Sequence, residues 1–433
     1  MNQEPCSMVT RRQFLAGLGS AVTVAACGGQ GINVYQRAPS ADASLLTTST
    51  AARPAPTMPA GSVPLTGRTL VVIELGGGND ALSTVVPLTG RYRDLRPGTA
   101  IDDPIVLDAE IGLHPELRTV ADRFRAGQVA IVEGLGIEAP DLSHFMSMRR
   151  WWDGTDSPDH TGWLGRYLDA SVGYDHVLAG ISIGPGPSPS MLGNASFVVG
   201  ISDADGLGSG FPWWVDDIRD FAGIWNGFAP AGVPMTELDP ITRAIATTAT
   251  AQMSLQRSLD PLATTLGRME VDTYSLEGQL ALAGSLVASD VEAKVVYVHG
   301  NVDFDTHEGQ RDRHGALLGA LDRGLGHFFQ IVEAAGVADD VVVMTTSEFG
   351  RRPQDNGGGT DHGTAGSHFV IGNGVRGGRY GESPSLERLD PDGNLIHTVD
   401  FRSLYAAVID DWMEAGHSEI LRGDFDVLPL FRT

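Results

Sequence analysis

Short apolar runs recur along the chain from residue 69 onward. Residues 69–75 (Thr-Leu-Val-Val-Ile-Glu-Leu), 129–135, 295–299, 340–346 and 368–372 are each too short for a buried helix. Glycine, asparagine or aspartate bounds several of them, so they predict strands buried on both faces. The segments between them carry helical spacing instead. In 114–127, Leu117, Val120, Ala121 and Phe124 share one face, and Pro115 suits a first helical turn. Residues 141–152 predict a second helix. Residues 308–335 predict a long one, with Leu317, Leu321, Leu325, Phe328 and Val332 on one stripe, and 401–413 predict a last. Buried strands alternating with amphipathic helices predict an α/β fold, its mostly parallel sheet covered on both faces.

The pattern fails in two places. Residues 171–290 begin with Gly184-Pro185-Gly186-Pro187-Ser188-Pro189, pass through Phe211-Pro212-Trp213-Trp214 and turn helical over 236–289. They read as an insertion into a single domain spanning 67–433. The first 66 residues are different again. Arg11-Arg12-Gln13-Phe14-Leu15, a Gly/Ala-rich stretch and Val24-Ala25-Ala26-Cys27 read as a signal peptide over 1–27. Residues 28–66, rich in Ser, Thr, Ala and Pro, read as a disordered linker. Both cysteines, Cys6 and Cys27, lie in the signal, so the domain holds no disulfide.

Charge narrows the function. The chain carries 30 Lys+Arg against 54 Asp+Glu, a formal charge of −24, and Lys294 is its single lysine. Nucleic acid is thereby excluded as a partner, because phosphate backbones require clustered basic side chains. A P-loop lysine and a polybasic membrane patch are excluded too. A lipid on Cys27 is the one membrane attachment the sequence allows.

Chemistry-bearing residues collect where the predicted strands end, which is where open α/β sheets bind ligands. They are Asn79-Asp80, Ser143-His144, Asp303-Phe304-Asp305-Thr306-His307, and Ser347-Glu348 with Asp361-His362-Gly363 beyond. Carboxylates and imidazoles converging at one edge suit a divalent metal. A serine at a helix N-terminus suits an anion. Each element also has a plainer reading: Asp80 or Ser143 as a helix cap, His144 as a half-buried histidine, Glu348 as a partner of Arg351 or Arg352. His314, His368 and His397 read as structural. Gly76-Gly77-Gly78 is no dinucleotide fingerprint, since Ala81 breaks the spacing.

These residues carry a family resemblance. The twin-arginine signal resembles the start of the bacterial family named domain of unknown function 1501. So do Leu75-Gly-Gly-Gly-Asn-Asp80, Leu142-Ser-His-Phe145, Phe304-Asp-Thr-His307, Thr346-Ser-Glu-Phe-Gly-Arg351 and Gly359-Thr-Asp-His-Gly363. The family is distantly similar to the alkaline phosphatase and sulfatase superfamily. That likeness implies a three-layer α/β/α sandwich with a two-metal ester-hydrolase site. It implies Asp80, Asp303 or Asp305, and His307 as metal ligands and Ser143 as nucleophile, with His144 or Asn79 placing the ester oxyanion. It leaves two registers open for the last ligands, Glu348 with His362 or the pair Asp361-His362. The expected function is an exported hydrolase of phosphate or sulfate esters, using a divalent Zn, Ca, Mn or Mg ion. Its partners would be a small-molecule or glycan ester and the twin-arginine export machinery. Periplasm or cell surface would be its location. The alternative is a surface-tethered, non-catalytic relative that binds glycan or a partner protein.

Overall fold

The computed structural model describes residues 67–432, apart from 157–160, 173–175, 177, 202–271, 273, 290 and 301, together with two short strands at 22–23 and 32–36. The signal-peptide arginines, Cys27 and the aromatic stretch 211–214 lie outside the described residues.

In chain order the strands that matter are β1 (Ile32–Gln36), β2 (Thr69–Glu74), β3 (Val129–Gly136), β4 (Gly180–Ile183), β5 (Val198–Ile201), β6 (Val295–Val298), β7 (Val341–Thr346), β8 (Arg351–Asp355), β9 (Thr360–His362), β10 (Gly366–Ile371) and β11 (Gly378–Gly381). The helices are α1 (Arg118–Arg125), α2 (His144–Asp153), α3 (Trp163–Ser171), α4 (Leu276–Val287), α5 (Gln310–Ala334) and α6 (Phe401–Ala407). Within the central sheet the order is β1-β5-β4-β6-β2-β7-β10-β3-β11. From β5 to β7 every pairing is parallel. β10 runs antiparallel to both β7 and β3, so β3 points the same way as β7. Two parts of the sequence reading change here. Residues 180–201, read as insertion, supply β4 and β5 to the sheet. Ile32–Gln36, inside the stretch read as linker, pairs with β5.

Alternate residues of β2 feed two cores. Val71 and Ile73 face Leu280 of α4 and Leu321, Leu325 and Phe328 of α5. Leu70 and Val72 face Trp163 and Leu164 of α3 and Leu404 of α6. The result is the expected α/β/α layering, with side chains of period two along the strand sorted to opposite faces. No described helix is long and apolar enough to cross a membrane.

Candidate metal centre

Because β2, β3, β6 and β7 share a direction, the loops after them open at one edge of the sheet. The loop after β2 turns on Gly77 and Gly78, both at positive φ (108° and 77°). A Cβ on Gly77 would stand 2.5 Å from the Asp305 amide, and one on Gly78 would stand 2.2 Å from the Phe349 ring. These glycines therefore let the β6 and β7 loops close over the turn.

Asp305 lies at the centre. Its Oδ1 is 3.0 Å from His307 Nε2 and 3.1 Å from His362 Nε2, and those two nitrogens are 3.0 Å apart. His144 Nε2 is 3.6 Å from Oδ2 of the same carboxylate. The ligand atoms of His144, Asp305 and His362 all lie within 4.8 Å of one another. Tetrahedral ligands bonded at ~2.0–2.1 Å to zinc stand about 3.3 Å apart, so this spacing matches a shared coordination sphere. All four side chains are partly open to solvent.

Proton positions follow from the far side of each ring. His144 Nδ1 meets Glu348 Oε1 at 2.8 Å, His362 Nδ1 meets the Leu142 carbonyl at 2.8 Å, and His307 Nδ1 meets Asp361 Oδ1 at 3.2 Å. Each of those oxygens accepts, so each Nδ1 carries the proton and each Nε2 turns a lone pair inward. The lone pairs of His144 and His362 then converge with a carboxylate, with His307 Nε2 beside the last two, an arrangement that a cation satisfies. The donor set fits a divalent metal. Arg351 donates to Asp305 Oδ1 from the side, and its remaining hydrogen bonds go to the carbonyls of Gly77, Gly78, Phe304 and Thr360.

The charges agree with this geometry. Burial opposes ionisation of Asp305, but Arg351 and His362 overcome it and hold the carboxyl at about 2. The hydrogen bond to Glu348 raises His144. Burial lowers His362. Phe349 forms a floor under the cluster, its ring centroid 5.0 Å from that of His144 and 4.7 Å from that of His362.

The other expected site residues are placed differently. Asp80 is fully buried, and its carboxylate is taken by Arg96, Gln310, Ser83 and the Leu82 amide. It caps the short helix that follows and is the anion of an internal ion pair with Arg96. Asn79 is also buried, with Oδ1 on His314 and Thr84, so it does not face the cluster as an oxyanion donor. Of the pair left open, Asp305 is in the cluster. Asp303 is exposed, accepts from the Asp305 amide and pairs with Arg313. Glu348 and Asp361 stand behind His144 and His307 rather than beside the lone pairs. Ser143 is exposed at the start of α2, with no cap hydrogen bond from its side chain. Phe349 and the Leu142 carbonyl were not anticipated. Only the position of Phe349 within the Glu-Phe-Gly motif hinted at a role.

Glu348 tests the outer layer. Replacing it with glutamine should weaken Zn2+ binding about tenfold, read by calorimetric titration, with little change in the thermal midpoint of the metal-free protein.

Residues 236–420 match the model of a family described as Protein of unknown function (DUF1501). No curated protein matches the chain. Several solved structures do. Ps i-CgsB, in complex with k-i-k-neocarrahexaose, is 10% identical with a TM-score of 0.37, over 83% of this chain and 75% of that one. Wild-type alkaline phosphatase PafA is 12% identical with a TM-score of 0.29, over 66% and 63%. The phosphonate monoester hydrolase of Agrobacterium radiobacter is 11% identical with a TM-score of 0.31, over 82% and 78%. TM-scores of this size carry no argument about this chain, and the fold class rests on its own sheet.

Proposed function

We propose that this chain is a metal-dependent hydrolase of phosphate or sulfate esters. One observation carries the reading: the inward Nε2 lone pairs of His144 and His362 converge with Asp305 at the open edge of the sheet, and His307 Nε2 stands beside Asp305 and His362. His144, Asp305 and His362 would hold the ion, with His307 as the fourth donor. An imidazole-rich set favours zinc over the oxygen-seeking calcium and magnesium. A bound divalent ion supplies Lewis acidity for an ester oxygen and lowers the pKa of a hydroxyl beside it.

The chain's own residues do the rest. Ser143, exposed and next to the ligand His144, is the candidate nucleophile. Its hydroxyl has no cap hydrogen bond to give up. Arg351 fixes Asp305 rather than reaching for substrate, because its donors are spent on that carboxylate and on carbonyls. The twin-arginine signal and Cys27 support an exported enzyme, periplasmic or at the cell surface, with a lipid on Cys27 as its anchor.

A second reading has two observations behind it. Asp80, a metal ligand in the implied superfamily pattern, is committed to Arg96, and Arg351 already neutralises Asp305. A glycan- or protein-binding relative without turnover would show both. One preparation separates the readings. The protein purified from native export should carry about one equivalent of transition metal and cleave an aryl phosphate or aryl sulfate. Asp305→Ala and His362→Ala should each lose about a hundredfold in metal affinity, and Ser143→Ala should lose turnover while keeping the metal. Protein that carries no metal and turns over no ester, before and after incubation with zinc or manganese, would leave the binding reading standing.

A further inference from the structure

Glu74 is the one charged residue in the apolar run of β2, and it is 8% exposed. Its Oε2 accepts from the Tyr297 hydroxyl and from Trp152 Nε1 at 2.9 Å. Its Oε1 has no hydrogen-bond partner among the described residues, and no Lys, Arg or His there pairs with it. Tyr297, Tyr405 and Glu348 are the titratable groups around it, and none brings a positive charge.

Glu348 is the neighbour that matters. The β2–β7 register sets Thr346 opposite Glu74, and Glu348 follows two residues past the end of β7. Both carboxylates line one small cavity, walled by Trp151, Trp152 and Tyr297, with room for about one water. Oε1 of Glu348 is already engaged by the Gly77 amide and His144 Nδ1. Oε2 faces Ser347 Oγ at 3.3 Å, but that hydroxyl has a single hydrogen, better placed toward the Leu75 carbonyl at 2.8 Å. Both residues thus line the same cavity, and each has one carboxylate oxygen without a donor. Two neighbouring buried anions with no cation between them are strongly disfavoured. A single proton removes the conflict.

We propose that Glu74 is a positioning residue for the metal centre: it stands as a neutral carboxylic acid and donates its proton toward Glu348 through one water in the shared cavity. Glu348, held from behind, then keeps accepting from His144 Nδ1, with Nε2 turned to the metal. The proposal rests on the metal reading above for its purpose, and on the cavity for its geometry. Burial raises the Glu74 carboxyl, and the charge of Glu348 adds to the rise against the hydrogen bonds from Tyr297 and Trp152. Glu74 also tethers Trp152, near the far end of α2 from His144, so the same side chain steadies that helix at two points.

The test uses the whole exported protein with Glu74→Gln and Glu74→Ala. Glutamine keeps a donor for Glu348 and an acceptor for Tyr297 and Trp152, whereas alanine keeps neither. Infrared difference spectra of the metal-free protein at neutral pH should show a protonated-carboxyl stretch in the wild type. That band should shift in heavy water and be absent from Glu74→Gln. Zinc affinity of Glu74→Gln should stay near that of the wild type, and Glu74→Ala should bind about tenfold more weakly. The proposal is overturned if no such band belongs to Glu74, if glutamine binds zinc as weakly as alanine does, or if alanine binds as tightly as the wild type. A wild type that takes up no zinc would overturn the metal reading instead. In that case the infrared band still decides whether the acid–carboxylate pair exists.

Discussion

Arg96→Met should cost the fold about 3–5 kcal/mol, seen as a lower denaturant midpoint at unchanged slope. Arg96 and Asp80 are both inaccessible, with side-chain exposures of 0% and 0%. The guanidinium grips both carboxylate oxygens, while its Nε and Nη2 also donate to the carbonyls of Pro353 and Arg352, each at 2.9 Å. Methionine fills much of the same volume but leaves a carboxylate in an apolar interior with no counter-charge. Burial pushes the Asp80 carboxyl up, and Arg96 more than offsets it, holding the group at about 2. Without Arg96 the group would protonate at much higher pH, so the loss should be largest at neutral pH and shrink in acid.

The same pair settles what Asp80 is for. If its role is internal, Asp80→Asn should destabilise the protein yet leave zinc affinity within about twofold of wild type, because no ligand of the cluster has been touched. A variant that folds as firmly as the wild type but no longer binds zinc would instead make Asp80 a ligand. Arg96 reaches β8 through the Pro353 and Arg352 carbonyls, and β8 pairs with β9, which bears His362. A modest loosening of the centre in Arg96→Met would therefore be an indirect effect. Asp80→Asn keeps that bridge and is the cleaner comparison.

Much of this was readable from the chain. The strands at 69, 129, 295 and 341 are continuous apolar runs, and His144, Asp305, His307 and His362 each sit in a short polar motif. Two kinds of information were missing. The run at 368–372 looks the same whether it runs with the sheet or against it. It runs against because the β8–β9 hairpin returns the chain to the edge it had just left. The four-residue strands β4 and β5 were lost among glycines and prolines, because their burial depends on neighbours far away in sequence.

The ligand register was missing for a different reason. Asp303 and Asp305 share an alternation, and only the turn at Gly77 packed against Phe304 and Asp305 decides between them. Asp80 looked like a ligand because nothing marks Arg96, sixteen residues on, as buried. Glu74 could have been noticed. A lone carboxylate in a strand buried on both faces needs either a partner or a proton.

Acid should unfold the protein well before its carboxylates titrate, and two histidines outside the metal cluster set the midpoint. His314 and His368 are 1% and 3% exposed, and each has an Nδ1 with no hydrogen-bond partner. Burial lowers both to about 3, against a usual value near 6.5. Both imidazoles are neutral in the fold, whereas in the unfolded chain they take up protons below about pH 6.5. The unfolded state therefore binds more protons, and stability falls as pH drops from 6.5 toward 3. The slope is about 1.4 kcal/mol per pH unit for each histidine, so the two together remove about 5 kcal/mol by pH 4.5. That is comparable with the whole stability of many domains, about 5–15 kcal/mol. His299, lowered to about 4 mainly by burial, adds to the same slope. His144 works in the other sense, since the hydrogen bond to Glu348 raises it. Its contribution is complete below the unfolded value and fades as pH rises through the folded one. Asp80 and Asp305, both held at about 2, withdraw support only between about pH 4 and pH 2. Denaturant midpoints measured from pH 7.5 to pH 4.5 should therefore fall steeply from just below neutrality. His368→Leu and His314→Gln should each flatten the curve by about one proton. A flat profile down to pH 4.5 in the wild type would show that the two imidazoles are not held neutral by the fold.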